Sequence, residues 1–246
     1  MSVAILKKMR VIAASVLVLG LSGLAAAWAM SVTPLQVKIE TSGPLSVGQI
    51  DVTNRLTDDL PLEVVVQTVS FDDAGEPVYT TIEDESDLFI FPFQVALKSG
   101  EKQTFQVRWV GDPAQTENQI YLIRFRQLPV QMDEGVTGVQ VVYEMGSLVY
   151  VAPPNTTADL SVMSVETSVN EDEAPVLKVR VRNDGARYGL VGEHRLRIRH
   201  DGGELLLSQQ DVIARSGQGA VPAGGERILS IRLDEALQNP AVDILD

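Results

Sequence analysis

The chain has 246 residues, no cysteine, 33 acidic against 20 basic side chains and a formal net charge of −13. That balance argues against a nucleic-acid partner, because phosphate binding needs a basic surface. The absence of cysteine excludes a thiol enzyme, a lipidated N-terminal cysteine and a disulfide scaffold, so an exported chain of this size has to rest on hydrophobic cores.

The first segment reads as a targeting signal. Lys7, Lys8 and Arg10 form a basic start, Val11 to Ala27 is apolar, and Ala27-Trp28-Ala29 is an A-x-A cleavage pattern. Residues 1–29 are therefore expected to be a signal peptide and the mature chain to begin at Met30. An uncleaved anchor is the alternative, since the apolar run approaches the ~20 residues that span a bilayer. Losing the three basic residues takes the net charge from −13 to −16 over the 217 residues that remain. No later apolar run approaches ~18 residues, so no membrane insertion is expected after cleavage. Export with no anchor, no disulfide and a bacterial-style signal points to a periplasm or beyond.

Beyond Met30 the pattern alternates with period two, the mark of strands with one buried and one wet face. Phe105, Val107 and Trp109 alternate with Thr104, Gln106 and Arg108; Tyr121, Ile123 and Phe125 with Leu122, Arg124 and Arg126. Leu177, Val179 and Val181, and later Leu229, Ile231 and Leu233, repeat the theme. Helical periodicity is almost absent. Turn signals at Asp73-Ala74-Gly75, Ser99-Gly100, Asn183-Asp184-Gly185, Asp201-Gly202-Gly203 and Ala223-Gly224-Gly225 separate the strands. Many short strands at such spacing mean a sandwich or barrel, and an immunoglobulin-like sandwich takes ~100 residues. The expected fold is all-β: two immunoglobulin-like β-sandwich domains in tandem. The prolines and polar residues of Ala152-Pro153-Pro154-Asn155-Thr156-Thr157 place the boundary, giving domains 30–153 and 154–246.

One stretch stands apart. Residues 138–154 read GVQVVYEMGSLVYVAPP, with Val139, Val141, Tyr143 and Met145 on one parity and Gln140, Val142 and Glu144 on the other. The spacing predicts one strand over 138–151. Gln140 and Glu144 need solvent or partners, which favours a sheet edge over a strand buried on both faces. An edge strand with an apolar row is equipped for strand addition, in which main-chain hydrogen bonds supply affinity and alternate side chains fill pockets.

Catalytic readings are poor. His194 and His200, in HRLRIRH, fall about 20 Å apart along a strand, too far to share a metal. Arg195, Arg197 and Arg199 read as a solvated face or an acidic partner's docking surface. Glu171-Asp172-Glu173 and Glu83-Asp84-Glu85 lack the spacing of a calcium loop, and Gly217-Gln218-Gly219 follows no βα unit. Trp109 is expected in the core. No enzyme, metal or cofactor is expected.

Four segments in order carry a family resemblance: VTPLQVKIE at 32–40, FIFPFQVALKSGEKQTFQVRW at 89–109, YLIRFRQLP at 121–129 and VQVVYEMGSLVYVAP at 139–153. Together they resemble the periplasmic pilus-assembly chaperones of the chaperone–usher pathway, the PapD-like family. The match is good over the first domain and in outline over the second, through VRVRNDGAR and VPAGGERILSI. The resemblance implies two sandwiches set at an angle like a boomerang. It implies a partner: a pilus or fimbrial subunit lacking its last strand, whose groove the chaperone's seventh strand fills until an outer-membrane usher receives it. Val139, Val141, Tyr143 and Met145 would be the groove-filling row, worth about 6–12 kcal/mol gross before association costs. Members of the family hold the subunit's C-terminal carboxylate with an Arg and a Lys. Here Lys38 best matches the first position, while Ser147, or Gly146 in another register, stands at the second. Arg124 or Arg126 are the candidate substitutes. Two other readings remain at this level: a fimbrial structural subunit or adhesin, and a secreted envelope binding protein with immunoglobulin-like domains.

Overall fold

A computed structural model describes residues 29–82, 86–129 and 141–246. Residues 1–28 of the predicted signal peptide, Glu83-Asp84-Glu85 and Val139 lie outside the described residues. Strand pairing divides the chain into two sets that exchange no strands.

The first set forms two sheets. One runs in the order β1 (Met30–Thr33), β3 (Val47–Asn54), β8 (Lys102–Trp109), β6 (Leu88–Phe91). The other runs β2 (Gln36–Glu40), β10 (Glu144–Ala152), β9 (Gln119–Gln127), β4 (Leu60–Phe71), with β5 (Pro77–Thr81) and β7 (Gln94–Leu97) on successive stretches of β4. The chain switches sheets between β1 and β2 at Pro34, which has no N–H to give a ladder. Alternation places Ile50, Phe105, Val107 and Trp109 of one sheet against Leu62, Tyr121, Ile123 and Phe125 of the other. The Phe105 and Phe125 rings meet edge-on at 4.8 Å between centroids. These are the rows that the period-two pattern assigns to the core, Trp109 among them.

The second set places β11 (Leu160–Val169), β12 (Pro175–Asn183) and β17 (Glu226–Arg232) in one sheet and β15 (Gly203–Leu207), β14 (Arg195–His200) and β18 (Ala241–Leu245) in another. A small ladder joins β13 (Gly189–Leu190) to β16 (Ala220–Val221). Leu177, Val179, Val181, Leu196, Ile198, Leu229 and Ile231 fill the space between the sheets. The last residues complete a sheet, because β18 pairs with β14 from Arg195 to Arg199.

Two sequence expectations are corrected here. The strand expected over 138–151 is shorter among the described residues: β10 covers Glu144–Ala152, Val141 and Val142 lead into it, and Tyr143 keeps one backbone bond to Gln127. A helix, α1 (Gln209–Ser216), occupies a stretch without strong helical periodicity. Its start is set by a capping box: the Ser208 hydroxyl accepts from the Asp211 N–H, and the Asp211 carboxylate accepts from the Ser208 N–H at 3.0 Å. Only Val212 of this helix is buried, so a tertiary contact and a local cap, rather than an apolar stripe, hold it.

A buried asparagine closes each set at the end of an early strand. Asn54 donates to the carbonyls of Asp58 and Leu97 and accepts from the Leu56 N–H. Asn183 donates to Arg187 and Val221 carbonyls at 2.7 and 3.2 Å and accepts from the N–H groups of Asp159 and Gly185. Both are fully buried. Removing either orphans backbone groups that water cannot reach, at about 1–3 kcal/mol for each unmet group. Asn183→Ala is expected to lower stability by at least about 2 kcal/mol in a denaturant titration followed by circular dichroism. An unchanged midpoint would show that water replaces the amide.

Candidate functional site

The predicted edge strand is half edge and half interior. From Leu148 to Ala152, β10 has β2 parallel on one side and β9 antiparallel on the other. From Glu144 to Ser147 it has β9 alone. The Gln127 N–H donates to the Tyr143 carbonyl at 2.9 Å, so the residue pairs bonded to β9 are those of Tyr143, Met145 and Ser147. Antiparallel ladders alternate, and the N–H and C=O groups of Glu144 and Gly146 therefore aim away from β9. The same phase is visible at Leu148, whose N–H reaches the Leu35 carbonyl at 2.9 Å on the β2 side. Among the described residues no strand covers that side before Leu148.

Side chains on this strand grade from buried to exposed along one row. Val151 and Val149 are fully buried, and Ser147 is buried with its hydroxyl donating to the Pro34 carbonyl at 2.9 Å. Met145 and Tyr143 are half-buried against the core, and Val141 is 57% exposed. The row lies on the inner face of its sheet, opposite Tyr121, Ile123 and Phe125 of β9. Both sheets stop on this side, since β1 is the last strand of the other. Among the described residues the arrangement is a sandwich open along one seam, with apolar side chains at the opening and main-chain groups on the rim that meet no strand.

The three candidate cations occupy the other, outer face, and the structure does not bring them together. Lys38 stands in register with Tyr150. Arg124 is in register with Gly146 and Arg126 with Glu144, so Arg124 lies about 13 Å farther along the strands from Lys38. Each cation has a carboxylate: Lys38 pairs with Glu193, Arg124 with Glu144 at 3.0 Å, and Arg126 with Glu63 at 2.6 Å. Neither residue at the expected lysine position faces them as a donor. Ser147 points inward, and Gly146 leaves space for Leu122, whose methyl would lie 2.8 Å from an added Cβ.

Sequence reasoning missed the contact surface beside Lys38. Ile120, Leu148, Tyr150 and Ala152 of the first set pack with Tyr188, Leu190 and Ala220 of the second. The Tyr150 and Tyr188 rings lie 4.9 Å apart. Arg227 stacks on Phe71 at 3.7 Å and donates to the Gly75 carbonyl at 2.8 Å and the Ala220 carbonyl at 2.9 Å. Asn118 spans the same gap, giving its amide to Ala186 and accepting from the Tyr188 N–H, both at 2.9 Å. Gly75 is indispensable at this contact: its φ is +85°, and an added Cβ would sit 2.0 Å from the Ile228 carbonyl oxygen. The alternation of Leu148, Tyr150 and Ala152 with an already buried row was the available signal. A strand apolar on both faces needs a second cover.

The remaining candidates are surface features. Arg197 and Arg199 are ion-paired to Glu204 at 3.5 Å and Asp243 at 2.9 Å, while Arg195 donates to the Asp246 carbonyl. Glu171-Asp172-Glu173 is an exposed turn between β11 and β12. Among the described residues no group of three or more His, Cys, Asp or Glu is placed to hold a metal ion, and no helix is long and apolar enough to cross a membrane.

No protein-family model and no curated protein sequence matches the chain. Solved structures do. The class 5 fimbriae chaperone CfaA is 10% identical with a TM-score of 0.52, covering 88% of this chain and 99% of its own. A chain of the CsuC–CsuE chaperone–tip adhesion subunit pre-assembly complex, from archaic chaperone–usher Csu pili of Acinetobacter baumannii, is 13% identical with a TM-score of 0.53, covering 88% and 97%. A chain of the Salmonella enterica SafA pilin–SafB chaperone complex is 11% identical with a TM-score of 0.50, covering 90% and 99%. The likeness is one of fold and extends over nearly the full length of both chains.

Burial pushes the Tyr150 phenol well above its ordinary range and raises that of Tyr188 as well. A phenol held neutral by folding contributes stability that is complete below its unfolded value near 10 and is lost as pH rises past it. Alkaline titration followed at 295 nm is therefore expected to ionise these two rings late, with loss of the contact between the two sets of strands. Replacing both by Phe should shift that transition upward. Ionisation near pH 10 with the fold intact would contradict the burial.

Proposed function

We propose that this chain is a non-enzymatic periplasmic chaperone that captures incomplete fimbrial subunits by lending them a strand. In this reading it comprises two immunoglobulin-like domains, 30–153 and 154–246, exported by residues 1–29. The observation that carries it is the open seam: among the described residues the outward main-chain groups of Glu144 and Gly146 meet no strand, directly beside an apolar row that emerges from the core at Met145, Tyr143 and Val141. Fold likeness to fimbrial chaperones, along nearly the whole chain, supports the same reading.

A parallel direction for the added strand is part of this reading. A subunit strand added beside Glu144 and Gly146 and running parallel to β10 meets β2 at Leu148 and has to end there. Its terminal carboxylate would then lie within about one two-residue repeat, ~7 Å, of the level of Lys38. Arg124 flanks the middle of such a strand instead. Lys38 is therefore the favoured carboxylate anchor, with Arg124 and Arg126 as auxiliary charges. Tyr143 and Met145 are already half-covered by their own core, so the gain from filling a subunit groove falls below the about 6–12 kcal/mol of four fully exposed side chains. That suits a hold that must be released to an usher. Val139 belongs to the same row by parity.

The double variant Val141→Asp/Tyr143→Asp is expected to abolish capture of a cognate subunit in co-purification while keeping a folded circular dichroism spectrum. Undiminished capture would remove β10 from the mechanism. Lys38→Ala is expected to weaken capture about ten-fold, the effect of losing one charge-assisted hydrogen bond, and Arg124→Ala by less. Isothermal titration with purified subunit measures both, and the reverse ranking would move the anchor to the centre of the strand.

A further inference from the structure

The ion pair at Lys38 is not a local surface pair. Lys38 leaves β2 in the first set of strands, and Glu193 comes from the 3-10 turn Val191–Glu193 in the second. That turn is firmly seated. Val191 and Gly192 are buried, and their N–H groups donate to the carbonyls of Gly219 and Gln218 at 3.1 and 3.0 Å. The Gln209 side chain holds the Glu193 carbonyl. Glu193 therefore presents its carboxylate to Lys38 from a fixed platform.

Resting on the reading of Lys38 as the anchor, we infer that Glu193 is a built-in competitor for the subunit carboxylate. In the free protein it occupies the Lys38 ammonium, and capture of a C-terminal carboxylate displaces it. The two groups are chemically alike, and two carboxylates crowded on one ammonium repel each other. The side chains are 41% and 50% exposed, so the pair is solvated and exchangeable. A neighbouring cross-pair differs. Glu40 and Arg187 approach to 3.5 Å with only 17% and 23% of their side chains exposed, and Arg187 lies over the Tyr188 ring at 5.5 Å. That contact, with the Tyr150–Tyr188 and Arg227–Phe71 stacks, keeps the two sets joined when Lys38 changes partner. Glu193 thus acts as a threshold. It admits a carboxylate delivered at the end of an added strand and turns away isolated carboxylates.

The test uses the purified protein and a synthetic strand peptide of alternating valine and threonine with a free C-terminal carboxylate, beside its amidated twin. Fluorescence anisotropy is read for wild type, Glu193→Gln, Lys38→Ala and the remote charge control Glu204→Gln. Glu193→Gln should tighten the carboxylate peptide by about two- to five-fold, the range a half-exposed ion pair supports, and leave the amide unchanged. Lys38→Ala should erase the preference for the carboxylate, and Glu204→Gln should change neither. If Lys38→Ala erases the preference but Glu193→Gln does not tighten binding, the competitor is refuted and the anchor stands. Lys38→Ala without effect refutes the anchor and with it the competitor. Equal tightening by Glu193→Gln and Glu204→Gln, or of both peptides alike, would assign the effect to net charge and overturn the proposal.

Discussion

Between Leu148 and Ala152 the main chain of β10 has a strand on either side; between Glu144 and Ser147, among the described residues, it has one. Backbone N–H and C=O groups have to be paired or wet, so this single change of neighbours divides the strand into a structural half and an available half. The change is produced by β2, which begins at Gln36 after the chain has left the other sheet at Pro34. The Ser147 hydroxyl, bonded to the Pro34 carbonyl, marks the boundary.

Both faces of the structural half are covered. Val149 and Val151 are part of the core of the first set of strands, while Tyr150 and Ala152 pack against the second set. The same nine residues therefore carry the open seam at one end and the floor of the contact between the two sets at the other. Lys38 stands at that second end, alongside Tyr150. A ligand that lengthens the sheet along the seam runs out of free edge where the two sets of strands meet. On the proposed reading, binding and the relation between the sets share a small group of side chains: Lys38, Glu193, Tyr150 and Tyr188.

At 10–13% identity, the likeness to fimbrial chaperones rests on pattern rather than on particular residues. The inner rows Phe105-Val107-Trp109 and Tyr121-Ile123-Phe125 need only be apolar and alternate to build this core, because volume and periodicity specify a sandwich more tightly than residue identity does. The polar details are free to differ.

Much of the fold was legible in the sequence because strand periodicity is a local property. The alternating rows, the turn glycines and the proline break after Ala152 each follow from a few neighbouring residues, and the apolar row through Val141, Tyr143 and Met145 was equally visible. Helix α1 was not, since its anchor is a single buried Val212 and a capping box rather than a stripe. Nor were the buried plugs Asn54 and Asn183, whose partners lie up to 43 residues away. Which side chains share a face follows from local order alone, because parity along a strand needs no partner. Long-range pairing is what covers β10 on one half and, among the described residues, leaves the other open, and what brings Lys38 to Glu193 across 155 residues of chain. Those depend on which strand ends beside which, and hydrogen-bond pairing between distant segments leaves no local trace in the residues that make it.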